Sequence, residues 1–257
     1  MKKLYLLMMA VVFTITANAG TRNLLKMDFE SGDPASLGWK SANLPAGMSI
    51  SGDEYGNYFQ FSLGSSNGRS CYNTWGNELY TDKLTEGTYH IEFEWAYASL
   101  ATNQFGTEIS IFSGTGPAAN NAVLNAKDNT LFSITESADN HELFFINGDA
   151  ANTFSVSAGS WFKVLLDVNV NTRTIEWSIV DQLTSQTEFA KGTRTFAEGT
   201  DMLASGLNIY NARYQSIVQL DNLLVQVFTS YDIANEPTVA LTGVNNTERT
   251  YSITFQE

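Results

Sequence analysis

Tyr89-His-Ile-Glu-Phe-Glu-Trp-Ala-Tyr97 decides the fold class. Ile91, Phe93, Trp95 and Tyr97 recur at every second position, with His90, Glu92, Glu94 and Ala96 between them. Successive side chains of a strand point to opposite faces, so this run is a strand with one apolar and one largely polar face. Trp161–Val170 and Thr174–Val180 repeat the pattern on either side of the polar Asn171-Thr-Arg173, which predicts a hairpin. Leu25–Asp33, Tyr58–Leu63, Glu108–Phe112, Leu131–Ile134, Glu142–Ile146, Gly206–Tyr210 and Val218–Phe228 are further strand candidates. Gly114–Asn129 reads as a loop, and Asp201–Ala204 as a place for one helical turn. Short strands separated by glycine-containing polar turns predict an all-β, antiparallel sandwich or barrel. Strands do not alternate with long helices, which argues against a parallel α/β fold.

The N-terminus has its own pattern. Met1-Lys2-Lys3 precedes an apolar run from Leu4 to Ile15 and then Ala17-Asn18-Ala19. A basic start, a short apolar centre and small residues at the end predict a secretory signal peptide over residues 1–19, leaving Gly20 as the mature terminus. The apolar run is too short to span a bilayer comfortably, and no second one follows. A membrane anchor is the alternative reading.

The whole chain carries a net charge of -13, which loss of Lys2 and Lys3 would make more negative by two. An acidic chain without a basic stripe argues against nucleic acid and anionic membrane as partners. It suits a hard cation such as calcium, which takes carboxylate oxygens. Cys71 is the one cysteine, so no internal disulfide can form and a packed core must supply the stability. The expected role of Cys71 is a small buried hydrophobe. Two histidines, far apart in sequence, make zinc a poor fit.

Residues 22–230 read as one sandwich. After Phe228 the pattern breaks, and Thr238–Thr242 and Thr250–Phe255 offer two more strands. Two strands do not make a stable domain alone, so 231–257 is expected to be a linker and the truncated start of a second small β-domain. A terminal hairpin added to the main sandwich is the alternative.

Phe29-Glu-Ser-Gly32 with Gly38-Trp39, and Leu220-Asp-Asn-Leu223, resemble the first and last strands of jelly-roll carbohydrate-binding modules. The wider resemblance, over residues 22–230, is to the concanavalin A-like lectin/glucanase superfamily. Gly159-Ser-Trp-Phe-Lys-Val and the hairpin after it are similar to laminin G-like sandwiches. The resemblance implies that the first and last strands are neighbours sharing a structural calcium, with Glu30 and Asp221 at the carboxylate positions. Laminarinase-like members of that superfamily use Glu-x-Asp-x-x-Glu; here the string is Glu92-Phe-Glu94-Trp-Ala-Tyr97. Tyr97 stands where the third acid belongs, which argues against catalysis and leaves Glu92 as a polar sugar contact.

Sugar rings stack on aromatic faces while polar groups meet their hydroxyls. Arg69, Tyr72, Asn73 and Trp75 lie between Gly- and Ser-rich turns, and Tyr210 and Arg213 form a second such cluster with Asn208. Trp75 is then either a stacking platform or a cap on the core edge. The expected function is a secreted, non-catalytic carbohydrate-binding module. Its ligand is a polysaccharide or oligosaccharide, and a further domain is expected to follow it in the chain. A glycoside hydrolase or polysaccharide lyase of the same fold, and an adhesive module that binds protein, are the alternatives.

Overall fold

The computed structural model describes residues 19–41, 47–53, 56–62, 69–75, 88–99, 107–114, 130–137, 139–140, 142–182, 188–211, 217–230, 239–245 and 250–255. Among these there is no helix, and hence none long and apolar enough to cross a membrane. The strands in chain order are β1 (Ala19–Met27), β2 (Lys40–Ser41), β3 (Met48–Asp53), β4 (Gly56–Ser62), β5 (Arg69–Thr74), β6 (Thr88–Ser99), β7 (Thr107–Ser113) and β8 (Thr130–Glu136). They continue with β9 (Leu143–Ile146), β10 (Asp149–Ser155), β11 (Trp161–Asn169), β12 (Thr174–Asp181), β13 (Glu188–Thr195), β14 (Ala204–Asn211), β15 (Ile217–Ser230), β16 (Val239–Asn245) and β17 (Thr250–Phe255).

Two antiparallel sheets form the sandwich. One runs β13-β12-β11-β6-β15-β4-β3, with β1 also paired to β15; the other runs β10-β9-β8-β7-β14-β5-β2. Two compact units divide the chain: Arg22–Phe228 holds the sandwich, and the other contains the separate β16–β17 hairpin.

Alternation in sequence becomes layering in space. Ile91, Phe93, Trp95 and Tyr97 of β6 are all buried, as are Phe162, Val164, Leu166 and Val168 of β11. From the facing sheet come Ile109, Ile111, Phe132, Ile134, Phe144, Leu207 and Ile209, all in the same core. Trp95 joins the layers, with ring centroids 4.8 Å from Phe162 beside it and 5.6 Å from Phe144 across the gap. Each such buried side chain contributes about 1.5–3 kcal/mol, so a continuous core of this size needs no cross-link. Cys71 is one of its members, and burial raises its thiol well above the ordinary range. Trp177 lies over Gly192 of the neighbouring strand, where an added Cβ would stand 2.6 Å from the indole Cζ2.

Three local expectations change. The run Leu25–Asp33 is a strand only to Met27; residues 30–32 bend, and the Asp33 carboxylate accepts the N–H groups of Ala35 and Ser36 at 3.0 and 3.2 Å to start a turn. Asp201–Ala204 makes no helical turn but leads into β14. The polar segment from Arg69, not among the strand candidates, forms β5, an interior strand between β14 and β2. Of the loop expected over Gly114–Asn129, Gly114 is a bend, and residues 115–129 lie outside the described residues.

Candidate ligand pocket

β6 lays His90, Glu92 and Glu94 along the outward face of the eight-stranded sheet, and β11 sets Asp167, Leu165 and Lys163 opposite them. A ladder of charge follows. His90 Nδ1 is 2.7 Å from Asp167 Oδ1, and His90 Nε2 is 3.5 Å from Glu92 Oε2. Lys163 Nζ donates to Glu92 Oε1 at 2.6 Å and lies 3.4 Å from Glu94 Oε1. The interaction with His90, joined by Lys163 and opposed by burial, holds the Glu92 carboxyl down at about 2. Burial alone would lower the His90 pKa, but Glu92 and Asp167 outweigh it and raise it.

β15 carries a bulge beside this ladder. Its pairing passes from Asp221 opposite Glu94 to Leu224 opposite Glu92, three residues advancing against two. The extra residue is accommodated at Asn222, with φ 49°, a left-handed conformation that asparagine tolerates better than most residues. The bulge turns Asn222 toward Glu94, and its Nδ2 donates to Glu94 Oε2 at 2.8 Å. Gln182 Nε2 donates to the same oxygen at 3.1 Å. Glu94 is thus buried, 6% exposed, but fully supplied with donors. Asp221 has the opposite lot. Burial pushes its carboxyl up to about 7; the Asn222 N–H at 2.7 Å resists, and the charges of Glu94, Glu30 and Asp28 add to the rise.

These groups wall a cavity of 440 Å³. Asp221, Asn222 and Glu94 form one side, Asp181 and Gln182 another, and Tyr58 and Trp161 supply the aromatic wall. Both rings are partly exposed, and they meet edge to face with centroids 5.6 Å apart. Gly56, also in the wall, is needed as glycine: its φ is 138°, and a Cβ there would stand 2.5 Å from Glu30 Oε1. Glu30 reaches this rim by accepting the Asn57 N–H at 3.3 Å.

Of the residues singled out from the sequence, Asp221 lines the pocket, Glu30 touches its rim and Glu92 stands one rung along the same face. The others are elsewhere. Trp75 is 4% exposed and packed in the core, with its main-chain N–H donated to the Ser205 carbonyl; no ring face is open to a ligand, so the platform expectation gives way to the core-edge one. Asn73 is buried and donates to the Leu37 carbonyl at 2.9 Å, tying β5 to the turn before Trp39. Tyr72 and Tyr210 are half-buried on the far face of the other sheet, and Arg69 belongs to β5. The Arg69 side chain and Arg213 lie outside the described residues. Tyr58, Trp161, Asp181, Gln182 and Asn222 were not anticipated as site residues. Parity could have found Trp161: its neighbours Phe162 and Val164 point to the core, so it points outward.

No family model matches the chain, and no curated protein matches it. Among solved structures it is similar to a carbohydrate esterase from the Shiga toxin-encoding bacteriophage phi24B, at 15% identity over 82% of this chain and 100% of that one, with a TM-score of 0.53. The CBM2 module of the evolved Dit of Lactobacillus casei BL23 phage J-1 aligns at 6% identity over 83% and 99%, with a TM-score of 0.52. Lectin I from Ulex europaeus, solved with the methyl glycoside of α-L-fucose, aligns at 11% identity over 82% and 99%, with a TM-score of 0.51. At such identities the likeness concerns the fold alone, and with the sheet topology it shows that this chain folds as an all-β, antiparallel jelly-roll sandwich like theirs.

Proposed function

We propose that the chain binds a polysaccharide or oligosaccharide in the pocket between Tyr58, Trp161, Asp181, Gln182, Asp221 and Asn222, and does not cleave it. The observation that carries this reading is the pairing of a partly exposed aromatic wall with carboxylate and amide side chains around a 440 Å³ cavity. That volume suits one or two sugar rings, and that mixture of groups suits their apolar faces and hydroxyls. The lectin-like sandwich around the pocket supports it as context. In favour of binding over cleavage, Glu92 and Glu94 are both committed to Lys163, and Tyr97, at the third acid position, faces the core.

Calcium belongs to the same proposal. Among the described residues no three acidic, histidine or cysteine side chains converge as a metal site. Burial is the main cause of the Asp221 rise, but the charges of Glu94, Glu30 and Asp28 that add to it nevertheless fit a hard cation. Glu30 and Asp221 would hold it with main-chain and water oxygens, and it would neutralise the bulge. Residues 1–18 of the expected signal peptide lie outside the described residues; the sequence of that segment supports export to the medium or cell surface.

Trp161→Ala tests the function. The residue is partly exposed, so the fold should survive, while affinity for the bound glycan should fall about tenfold or more, the equivalent of one lost aromatic contact. A Trp161→Ala protein that melts normally and binds as before would exclude this pocket.

A further inference from the structure

Resting on the pocket reading above, we infer that the sugar held there carries a free protonated amine, and that acidic sugars are turned away. Four carboxylates stand in the wall: Asp53 at the end of β3, Glu94 of β6, Asp181 at the end of β12 and Asp221 of β15. Glu30 adds a fifth at the rim. Among the described wall residues there is no lysine, arginine or histidine. Lys163 answers Glu94 from outside the wall at 3.4 Å, but Glu92 shares it at 2.6 Å. A cleft lined by one sign of charge concentrates its field where a ligand sits and draws in the opposite sign. The way in is open, since Asp53, Gly159, Ser160 and Asn222 are exposed and both aromatic rings are partly so.

The spread of these groups selects a cation borne on a ring. The four carboxylates come from four strands of one sheet, and among the described residues no three acidic, histidine or cysteine side chains converge on a point. Set around 440 Å³, they are reached by the substituents of a ring rather than by one small ion. Ionised carboxylates only accept hydrogen bonds, so the ligand must be rich in donors. A hydroxyl offers one hydrogen; an ammonium offers three, each strengthened by its charge. A sugar bearing its own carboxylate meets repulsion instead. Tyr58 and Trp161, edge to face at 5.6 Å, complete the match, because aromatic rings attract both the apolar face of a sugar and a cation beside it. A lysine peptide carries the same charge, but on a flexible stem without hydroxyls and with more rotamer freedom to lose.

Calorimetric titration of the full chain, at about pH 6 in chelator-containing buffer, tests this; at that pH an amine of this kind holds its proton. The probes are hexasaccharides of glucosamine, N-acetylglucosamine and glucose sharing one linkage, with hexagalacturonate and hexalysine beside them. Wild type should bind the glucosamine hexamer about tenfold or more tighter than the glucose or N-acetylglucosamine hexamer, the worth of one charge-assisted hydrogen bond. It should leave hexagalacturonate unbound and take hexalysine more weakly than the glucosamine hexamer. Asp181→Asn/Asp221→Asn should bind the glucosamine and glucose hexamers alike. Salt at about 1 M, where charges are screened within about 3 Å, should erode the wild-type preference, and this series decides the matter if the double variant does not fold. The inference is overturned, with the pocket reading intact, if wild type binds the glucose hexamer as tightly as the glucosamine hexamer and Trp161→Ala weakens both. It is also overturned if Asp181→Asn/Asp221→Asn keeps the full preference, if the preference is indifferent to salt, or if hexalysine binds as tightly as the glucosamine hexamer. If Trp161→Ala leaves the affinity for the glucosamine hexamer unchanged, or if no saccharide binds wild type, the pocket reading falls as well.

Discussion

Replacing Asp221 with asparagine removes a charge while keeping the acceptor that the Asn222 N–H uses at 2.7 Å. The folded carboxyl titrates at about 7, against an ordinary value of 3.8. A rise of that size corresponds to a ceiling of about 4 kcal/mol, at about 1.4 kcal/mol for each tenfold change in proton affinity. Asp221 is only partly buried, and solvent screening reduces this to about 1–2 kcal/mol. The sign follows from which state holds the proton. Between pH 4 and 7 the folded protein keeps it and the unfolded chain has lost it, so the carboxyl's contribution is whole below pH 4 and gone above pH 7. The amide of the variant cannot ionise. In chelator-containing buffer, Asp221→Asn should therefore match wild type near pH 4 and exceed it by about 1–2 kcal/mol at pH 8. For a chain of this size that is a rise in Tm of about 2–8 °C. Thermal melts at half-unit pH steps measure it. An offset that does not vary with pH, or a mutant less stable at pH 8, would refute the reasoning. Millimolar calcium adds a second reading, since it should raise the wild-type Tm and leave Asp221→Asn nearly unmoved.

Glu92→Gln should act in the acid range: the low carboxyl pKa stabilises the fold above pH 4.5 and is lost as pH falls towards 2. Urea unfolding should show a deficit of about 1 kcal/mol at pH 7 that closes near pH 2. Trp75→Ala should lower stability by about 3–5 kcal/mol in denaturant titrations, as a buried indole does, and leave glycan affinity of the surviving folded fraction unchanged. Gly192→Ala forces a methyl to 2.6 Å from Trp177 and should cost about 1–3 kcal/mol by the same measurement, with an intact site.

The strands that were legible are those whose two faces meet different surroundings. β6 shows this best, because aromatic residues packing on the other sheet alternate with acids that meet solvent and Lys163. β5 was illegible for the opposite reason. Ser70, Cys71 and Asn73 are all buried although only Cys71 is apolar, and the Asn73 amide is satisfied by a main-chain carbonyl 36 residues away. A polar residue matched by a distant partner leaves no periodic trace in sequence. Trp75 misled in the same way: its polar neighbours suggested an exposed position, while its own main-chain N–H is fixed to Ser205 beneath the core edge.

The site was legible as charge and illegible as shape. Asp221 and Asn222 stand out as polar residues in a long apolar strand, yet nothing local says that β15 bulges between them and Leu223, or that Glu94 of another strand is the target. Once the bulge exists, the division of labour on this face follows. Glu94 receives the amide hydrogens of Gln182 and Asn222 and shares Lys163 with Glu92, so it is a fixed floor whose charge is balanced. Asp221 stands opposite it, with Lys163 already engaged and the carboxylates of Glu30 and Asp28 near enough to raise it. Its protonation and its partners are therefore what a ligand or a cation can change at the least expense to the fold. The aromatic wall, by contrast, is indifferent to charge. On the proposed reading the pocket would separate two tasks: Tyr58 and Trp161 would hold a ring by its face, and the bulge would read what that ring carries.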